Sequence, residues 1–420
     1  MSGDRDSVSL AFHWFLPTHG DGRRLIEQVR PAGIAGGPRP ASLGYLTQVA
    51  CAAEELGFAG ALTPTGLWCE DAWVTAAMLS QRTERLRFML ALRPGLVSPT
   101  LAAQMAASFQ RHSYGRLLLN VVTGGDREEQ RALGDFLDKD ARYERTAEFL
   151  GVVRDLWRGR RVDLDGRHLT VAAAELEQPP SPPPPIYFGG SSPAALAVAA
   201  RHAQVYLSWG EPPGPLGEKL DAVRAAARAA GRELRLGIRL HVVCRDSAAE
   251  AWREAERLLD GIDASTIQLV QERLRRSESE GQRRMTALHD GSLRGPGNSS
   301  VTDLEVAPNL WAGVGLARGG AGTALVGSHQ EVAARIHEYA QLGIDEFVLS
   351  GYPHLEEAYW FAEGVLPILA QRLLWTTPGP PSAAPFPPAR EHAAAPGAAA
   401  RARVPFAGAP AEAVGGVNGR

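Results

Sequence analysis

The sequence predicts an α/β protein, a (β/α)₈ TIM barrel, on three observations. Eight strand-length apolar runs recur along the chain, amphipathic helix patterns lie between them, and the runs end in polar and aromatic residues. The first run is SLAFHWFL (9–16), followed by the helical pattern LGYLTQVACAAEELG (43–57), where Gly57 occupies the C′ position of a helix end. Next come the strand AGALTPT (59–65) and the helix EDAWVTAAMLSQ (70–81). The strand LRFMLALRP (86–94) precedes SPTLAAQMAASFQRHS (98–113), whose Ser98-Pro99 pair supplies N-cap chemistry. RLLLNVVTG (116–124) reads as the fourth strand, PIYFGG (185–190) as the fifth and QVYLSWG (204–210) as the sixth. LRLGIRLHVVC (234–244) is the seventh. The helix SHQEVAARIHEYAQLG (328–343), started by Ser328 and ended by Gly343, leads into DEFVLSGYPH (345–354), the eighth.

An open doubly wound sheet is the rival architecture, and it usually needs fewer strands. Two stretches interrupt the alternation. RVDLDGRHLTV (161–171), with Asp-Gly between extended runs, reads as an external hairpin. The polar, Arg- and Gly-rich segment 261–327 reads as a long lid between strands seven and eight. The barrel is expected over 1–375. Residues 376–420, dominated by Pro, Ala and Gly, are expected to be a disordered tail.

Composition removes several classes of function. Lys plus Arg number 44 against 47 Asp plus Glu, for a net charge of −3, so there is no basic footprint for nucleic acid. No apolar stretch approaches the roughly 18–20 residues of a membrane span. The three cysteines, Cys51, Cys69 and Cys244, form neither a CxxC pair nor a disulfide pattern, and a reducing cytoplasm is the expected compartment. No HExxH or His/Cys cluster at ligand spacing suggests a metal. GVGLARGGAGTALVG (313–327) has the glycine content of a nucleotide loop without its spacing, and reads as part of the flexible lid.

Strand seven poses the sharpest question. Side chains alternate along a strand, so Arg239 and His241 share one face while Ile238, Leu240 and Val242 share the other. Both faces read as buried, and a buried cation is costly unless paired. Arg239 therefore requires either an internal carboxylate or an anionic ligand. The strand ends FLPTHGDG, TPTGLWCED, NVVTGGD, FGGSS, SWGEPP and SGYPHLEE converge on one mouth of such a barrel, where a site belongs.

Several of these segments carry a family resemblance. FHWFLPTHGDG, PTGLWCEDAW, ALRPGLVSPT, YFGGSS, WGEPP, LGIRLHV, PNLWAGVGLARGGAGTALVG and SGYPHLEEAY stand in the order found in the flavin-dependent alkanesulfonate monooxygenases of the bacterial luciferase-like superfamily. The resemblance spans roughly 8–372 and lapses around 23–40 and in the tail. It implies a barrel that takes reduced FMN as a cosubstrate from a separate NAD(P)H-dependent FMN reductase. It further implies O₂ as oxidant, an alkanesulfonate cleaved to an aldehyde and sulfite, and a homotetramer. On this reading Arg239 and the lid residue Arg318 grip the sulfonate. His241 orients a substrate oxygen or moves a proton, with a satisfied core histidine as the alternative, and Tyr352 and His354 complete the catalytic set. His19, Cys69 and Trp209 form pocket wall, Cys69 without a nucleophilic role. Asn120 and Thr123 face the polar ring edge of FMN. Tyr143, Ser191 and Ser192 are its phosphate candidates, with a plain N-cap as the alternative for Ser192. Methanesulfonate or another organosulfur substrate, a deazaflavin-dependent oxidoreductase and a non-catalytic flavin-binding protein are the competing functions.

Overall fold

The computed structural model describes residues 9–25, 39–260, 262, 264–289 and 300–378. The first half of the chain alternates β1 (Ala11–Phe15), α1 (Leu43–Glu55), β2 (Gly60–Thr63), α2 (Ala72–Ser80), β3 (Arg87–Leu92), α3 (Pro99–His112) and β4 (Leu117–Val121). Then come α4 (Arg127–Ala132), α5 (Lys139–Trp157), the hairpin strands β5 (Val162–Asp165) and β6 (Thr170–Ala174), β7 (Ile186–Gly189), α6 (Pro193–His202), β8 (Val205–Trp209), α7 (Pro213–Ala229) and β9 (Arg235–Arg245). The remainder is α8 (Ala248–Leu259), α9 (Ala264–Arg275), α10 (Glu280–Ala287), β10 (Glu305–Ala307), β11 (Leu310–Trp311), α11 (Val314–Ala317), β12 (Ala324–Ser328), α12 (His329–Gln341), β13 (Glu346–Ser350), α13 (His354–Gly364) and α14 (Leu366–Gln371).

Eight strands close on themselves, all parallel, in the order β9-β13-β1-β2-β3-β4-β7-β8, with β8 returning to β9. This is the (β/α)₈ barrel that the alternation predicts. Local chemistry sets the helix starts: Ser98 and Ser328 cap α3 and α12 through their hydroxyls, and Gly57 and Gly343 take positive φ just past the ends of α1 and α12. The Asp165-Gly166 hairpin forms outside the barrel.

The barrel interior is layered. Phe15, Leu62, Met89, Leu118, Tyr187, Val205, Leu207 and Val348 fill it. Below them, at the N-terminal end, Glu346 takes up His13 at 3.0 Å, the Tyr187 hydroxyl at 2.7 Å and Arg235 at 3.0 Å. Burial opposes ionisation of Glu346, but Arg235, His13 and Tyr187 outweigh it and hold its carboxyl at about 2.

The insertion differs from the flexible lid expected of it. Strand β9 is long enough to pair with two strands along one edge, β8 over Arg235–Arg239 and β12 over His241–Arg245, while β13 takes the other edge, so Ala324–Ser328 extends the barrel wall rather than hanging over it. The glycine-rich segment before β12 is compact: Gly315 N–H donates to Gly322 O at 2.9 Å, and a Cβ added to Gly322 would lie 2.9 Å from Gly315 Cα. Its glycines serve close backbone packing, which composition alone cannot separate from flexibility. Helices α9 and α10 pack alongside. Residues 290–299 of the expected lid, and 379–420 of the expected tail, lie outside the described residues. Leu374 O accepts from Leu10 N–H at 2.8 Å and Thr376 N–H donates to the Ser9 hydroxyl at 3.1 Å, just before β1.

Candidate active site

Register carries the interior face upward from the apolar layer to the mouth. Val348 is level with Arg239 and Ser350 with His241; Trp209 is level with Arg239, and Tyr187 with Asn120. Neighbours in register share a face, so Arg239, His241, Ser350, Trp209 and Asn120 all project into the barrel at its C-terminal end.

Arg239 is 7% exposed and has no carboxylate within 4 Å among the described residues. Its guanidinium donates to the Ser350 hydroxyl at 2.8 Å and to the carbonyls of Leu240 and Val348, and lies 4.9 Å over the Phe15 ring. Burial, together with the charge of Arg318, lowers its pKa to about 9, the Tyr352 hydroxyl opposing. The internal-carboxylate alternative is thus absent from the described residues, and a buried cation faces the mouth. Arg318 comes from the segment after α11, is half-buried and donates to the Tyr352 hydroxyl. It is therefore packed against the barrel rather than free in a loop.

His241 differs from the proton-transfer role open to it in the sequence. Arg239 can only donate, so the Ser350 hydroxyl accepts from Arg239 and donates to His241 Nδ1 at 2.7 Å. The ring proton then sits on Nε2 and donates to Ala321 O at 3.0 Å. Both nitrogens are engaged, and burial with the charges of Arg239 and Arg318 holds the imidazole neutral, its pKa far below the ordinary value. His241 also stacks on Tyr352, with centroids 5.4 Å apart. It anchors the Arg318 segment. Two buried glutamines do the same: Gln271 donates to Gly315 O and Leu316 O, and Gln282 accepts from Gly320 N–H at 2.9 Å.

His354 opens α13 after the turn that follows Ser350, so the eighth strand is shorter than the predicted run. Its Nδ1 lies 2.9 Å from Asp21 Oδ1, and its backbone N–H donates to Asp21 Oδ2 at 2.8 Å. Asp21 also accepts from Gly22 N–H and from the Tyr45 hydroxyl. Asp21 and Ser350 sit inside the quoted segments THGDG and SGYPH, yet neither was a candidate; only the closed barrel brings each to its histidine.

The remaining candidates divide into wall and cradle. His19 packs edge-on against Trp68 and Phe15. Burial pushes the Cys69 thiol up to about 11, which suits a wall residue and not a nucleophile. Gly281 of α10 lies over the Trp209 ring: a Cβ there would come within 3.1 Å of it. Asn120 is buried in the mouth, and Thr123 follows β4 half-buried. Tyr143 reaches from α5 toward the turn after β7. A Cβ at Gly190, where φ is +135°, would lie 3.3 Å from the Tyr143 hydroxyl and 2.7 Å from Ala195. Ser191 borders that turn. Ser192 Oγ accepts from Ala195 N–H as the N-cap of α6, the plainer of its two expected roles. Among the described residues, no helix is long and apolar enough to cross a membrane.

Solved structures share this architecture. A riboflavin lyase, RcaE, solved with modified FMN and riboflavin, matches with a TM-score of 0.70 at 23% identity, over 89% of this chain and 94% of that one. The EDTA monooxygenase EmoA from Chelativorans sp. BNC1 matches at 0.69 and 20% identity, over 88% of this chain and 95% of that one. The long-chain alkane monooxygenase LadA matches at 0.68 and 18% identity, over 88% and 93%. At these identities the likeness speaks for the fold. The sequence itself gives the class: a model of the luciferase-like monooxygenases matches residues 10–346, and the chain belongs to that family.

Proposed function

We propose that the protein is a two-component, FMNH₂-dependent monooxygenase that desulfonates alkanesulfonates with O₂, giving an aldehyde and sulfite. The observation that carries this reading is Arg239, a buried cation with no carboxylate partner among the described residues, beside a second arginine, Arg318. A guanidinium fork matches the oxygens of a sulfonate, and two of them in a poorly solvated mouth favour a compact anion over a neutral alkane.

The residues also fit a flavin mononucleotide. The Gly189–Gly190 turn, kept bare of side chains beneath Tyr143 Oη, opens into the N-terminus of α6, where backbone N–H groups and the helix dipole favour a phosphate. Asn120 and Thr123 offer polar groups to the ring. When bound, reduced FMN supplies the electrons for O₂ activation. Arg239 and Arg318 hold the anionic head, Trp209 and His19 wall the site, and α10 over Trp209 limits water. An NAD(P)H-dependent FMN reductase is the implied partner, and a homo-oligomer, a tetramer by resemblance, the implied assembly.

The test is sulfite release from linear sulfonates of one to ten carbons, with a flavin reductase, NAD(P)H and O₂. Sulfite and the matching aldehyde are expected from at least one chain length, and the shortest productive chain separates a methanesulfonate enzyme from a longer-chain one. No sulfite from any of them, beside tight binding of reduced FMN, defeats the proposal. Preferential binding of reduced deazaflavin would favour the hydride-transfer alternative.

A further inference from the structure

The two histidines of the cluster are satisfied in opposite ways. His241 has both ring nitrogens bonded, to Ser350 and Ala321. His354 is fully buried and has only one: Nδ1 meets Asp21, while Nε2 is buried with no hydrogen-bond partner among the described residues. An unpartnered buried nitrogen costs free energy and calls for an explanation.

Asp21 is itself fully buried, and every donor around it points to a carboxylate. It receives His354 Nδ1, the His354 backbone N–H, Gly22 N–H and the Tyr45 hydroxyl; Tyr45 is in turn 3.4 Å from Arg39, which forks onto Glu356 at 2.5 and 2.7 Å. Burial opposes ionisation, but His354 and Tyr45 together bring the Asp21 carboxyl below its ordinary pKa. An ionised carboxylate only accepts, so the facing nitrogen carries the ring proton. The other groups around the His354 ring are Phe15 from β1, at 5.7 Å, and Tyr352 from the end of β13, edge-on at 5.2 Å, with His241 beyond Tyr352. No other carboxylate is paired with the ring among the described residues.

We propose that Asp21 is a positioning residue for the reaction: it locks His354 in the Nδ1–H tautomer, leaving a bare Nε2 to take the proton that desulfonation releases. This rests on the desulfonation reading. In the net reaction one C1–H bond and the C1–S bond break and a C1=O bond forms. Sulfite departs with the C–S electron pair, one atom of O₂ enters the carbonyl and the other leaves as water. Reduced FMN contributes two electrons and two protons, so one proton is left over. Tyr352 links this acceptor to the arginine pair: its ring lies edge-on to His354 and its hydroxyl accepts from Arg318.

The experiment uses the full chain labelled with ¹⁵N-histidine, the His354 ring being assigned by its loss in His354→Gln. Long-range ¹H–¹⁵N spectra of the wild type are expected to show Nδ1 protonated and Nε2 bare. Asp21→Asn presents an amide that donates to Nδ1 and should reverse the pattern. It should also lower kcat for sulfite release by about 10²-fold or more, the scale of general base catalysis, with KM for the sulfonate within about threefold. Tyr45→Phe leaves the carboxylate in place and is expected to keep the tautomer and lose less than about tenfold in kcat. A wild-type ring protonated on Nε2 overturns the proposal, even if Asp21→Asn fails to fold. So does an Asp21→Asn enzyme with unchanged tautomer or near-normal kcat. Absence of sulfite from the wild type defeats the desulfonation reading alone, because the tautomer is read without turnover.

Discussion

Replacing Arg239 by Met should make the ligand-free protein more stable and useless for anion binding. Burial and the neighbouring Arg318 lower the Arg239 guanidinium from its ordinary value to about 9. At about 1.4 kcal/mol per tenfold change in acidity, that is on the order of 5 kcal/mol against the charged form in the fold. The sign follows from linkage. The unfolded chain carries this cation freely, so at pH 7 the folded state bears the whole penalty, which fades only as pH rises above about 9. Met matches the unbranched stem and removes the charge. It also strips a donor from Ser350 and from the Leu240 and Val348 carbonyls, a loss of roughly 1–3 kcal/mol. The net expectation is a gain of roughly 2–4 kcal/mol. Urea unfolding at pH 7, in buffer free of sulfate and phosphate, measures it. Adding octanesulfonate should raise the wild-type midpoint and leave Arg239→Met unmoved. An Arg239→Met protein less stable than wild type in anion-free buffer would mean that the cation is satisfied internally, and the sulfonate clamp would lose its foundation.

Three further outcomes follow from other parts of the molecule. Glu346 has its folded pKa depressed to about 2, so its stabilisation is complete above about pH 4.5 and is lost as pH falls toward 2; Glu346→Gln should remove roughly 3 kcal/mol of acid-dependent stability, visible as a flatter unfolding midpoint over that window. On α2, Val74 and Met78 are 57% and 51% exposed one turn apart, close in sequence to exposed Leu67 and Trp68; Val74→Arg with Met78→Arg should reduce the mass measured by light scattering, and an unchanged mass would place any oligomer interface elsewhere. Cys69, with its thiol near 11, should resist iodoacetamide at pH 7, and Cys69→Ala should keep kcat within about threefold; loss of activity beyond that would give the thiol a role in the chemistry.

The barrel was legible because its strands are short, apolar and evenly alternated with helices; seven of the eight predicted runs bracket an observed strand, and the seventh stops one residue short of the end of β9 at Arg245. The mouth was legible for the same reason: a period of two puts Arg239 and His241 on one face without any tertiary information. What failed was what depends on contacts between distant segments. Ala324–Ser328 hides behind a glycine-rich stretch whose meaning, close packing of Gly315 on Gly322, exists only once the chain has turned back on itself. The proton bookkeeping of His241 rests on Ser350 and Ala321, and that of His354 on Asp21, 333 positions earlier in the chain. A histidine's tautomer is set by its partners, so sequence can nominate the ring but not say which nitrogen is left for chemistry.

The placement of the second arginine illustrates how such a site is held. Arg318 belongs to a segment with no regular structure of its own, and a loop cation would ordinarily wander. Three buried polar side chains fix its backbone from different sides: His241 holds Ala321, Gln282 holds Gly320, and Gln271 holds Gly315 and Leu316 of α11. The first of these is tied through Ser350 to Arg239 itself. The geometry of one guanidinium is therefore transmitted to the other by hydrogen bonds at 2.7–3.0 Å, across elements that only barrel closure brings together. Arg318 repels Arg239 and adds to burial in lowering its pKa, and on the proposed reading a bound sulfonate relieves that repulsion.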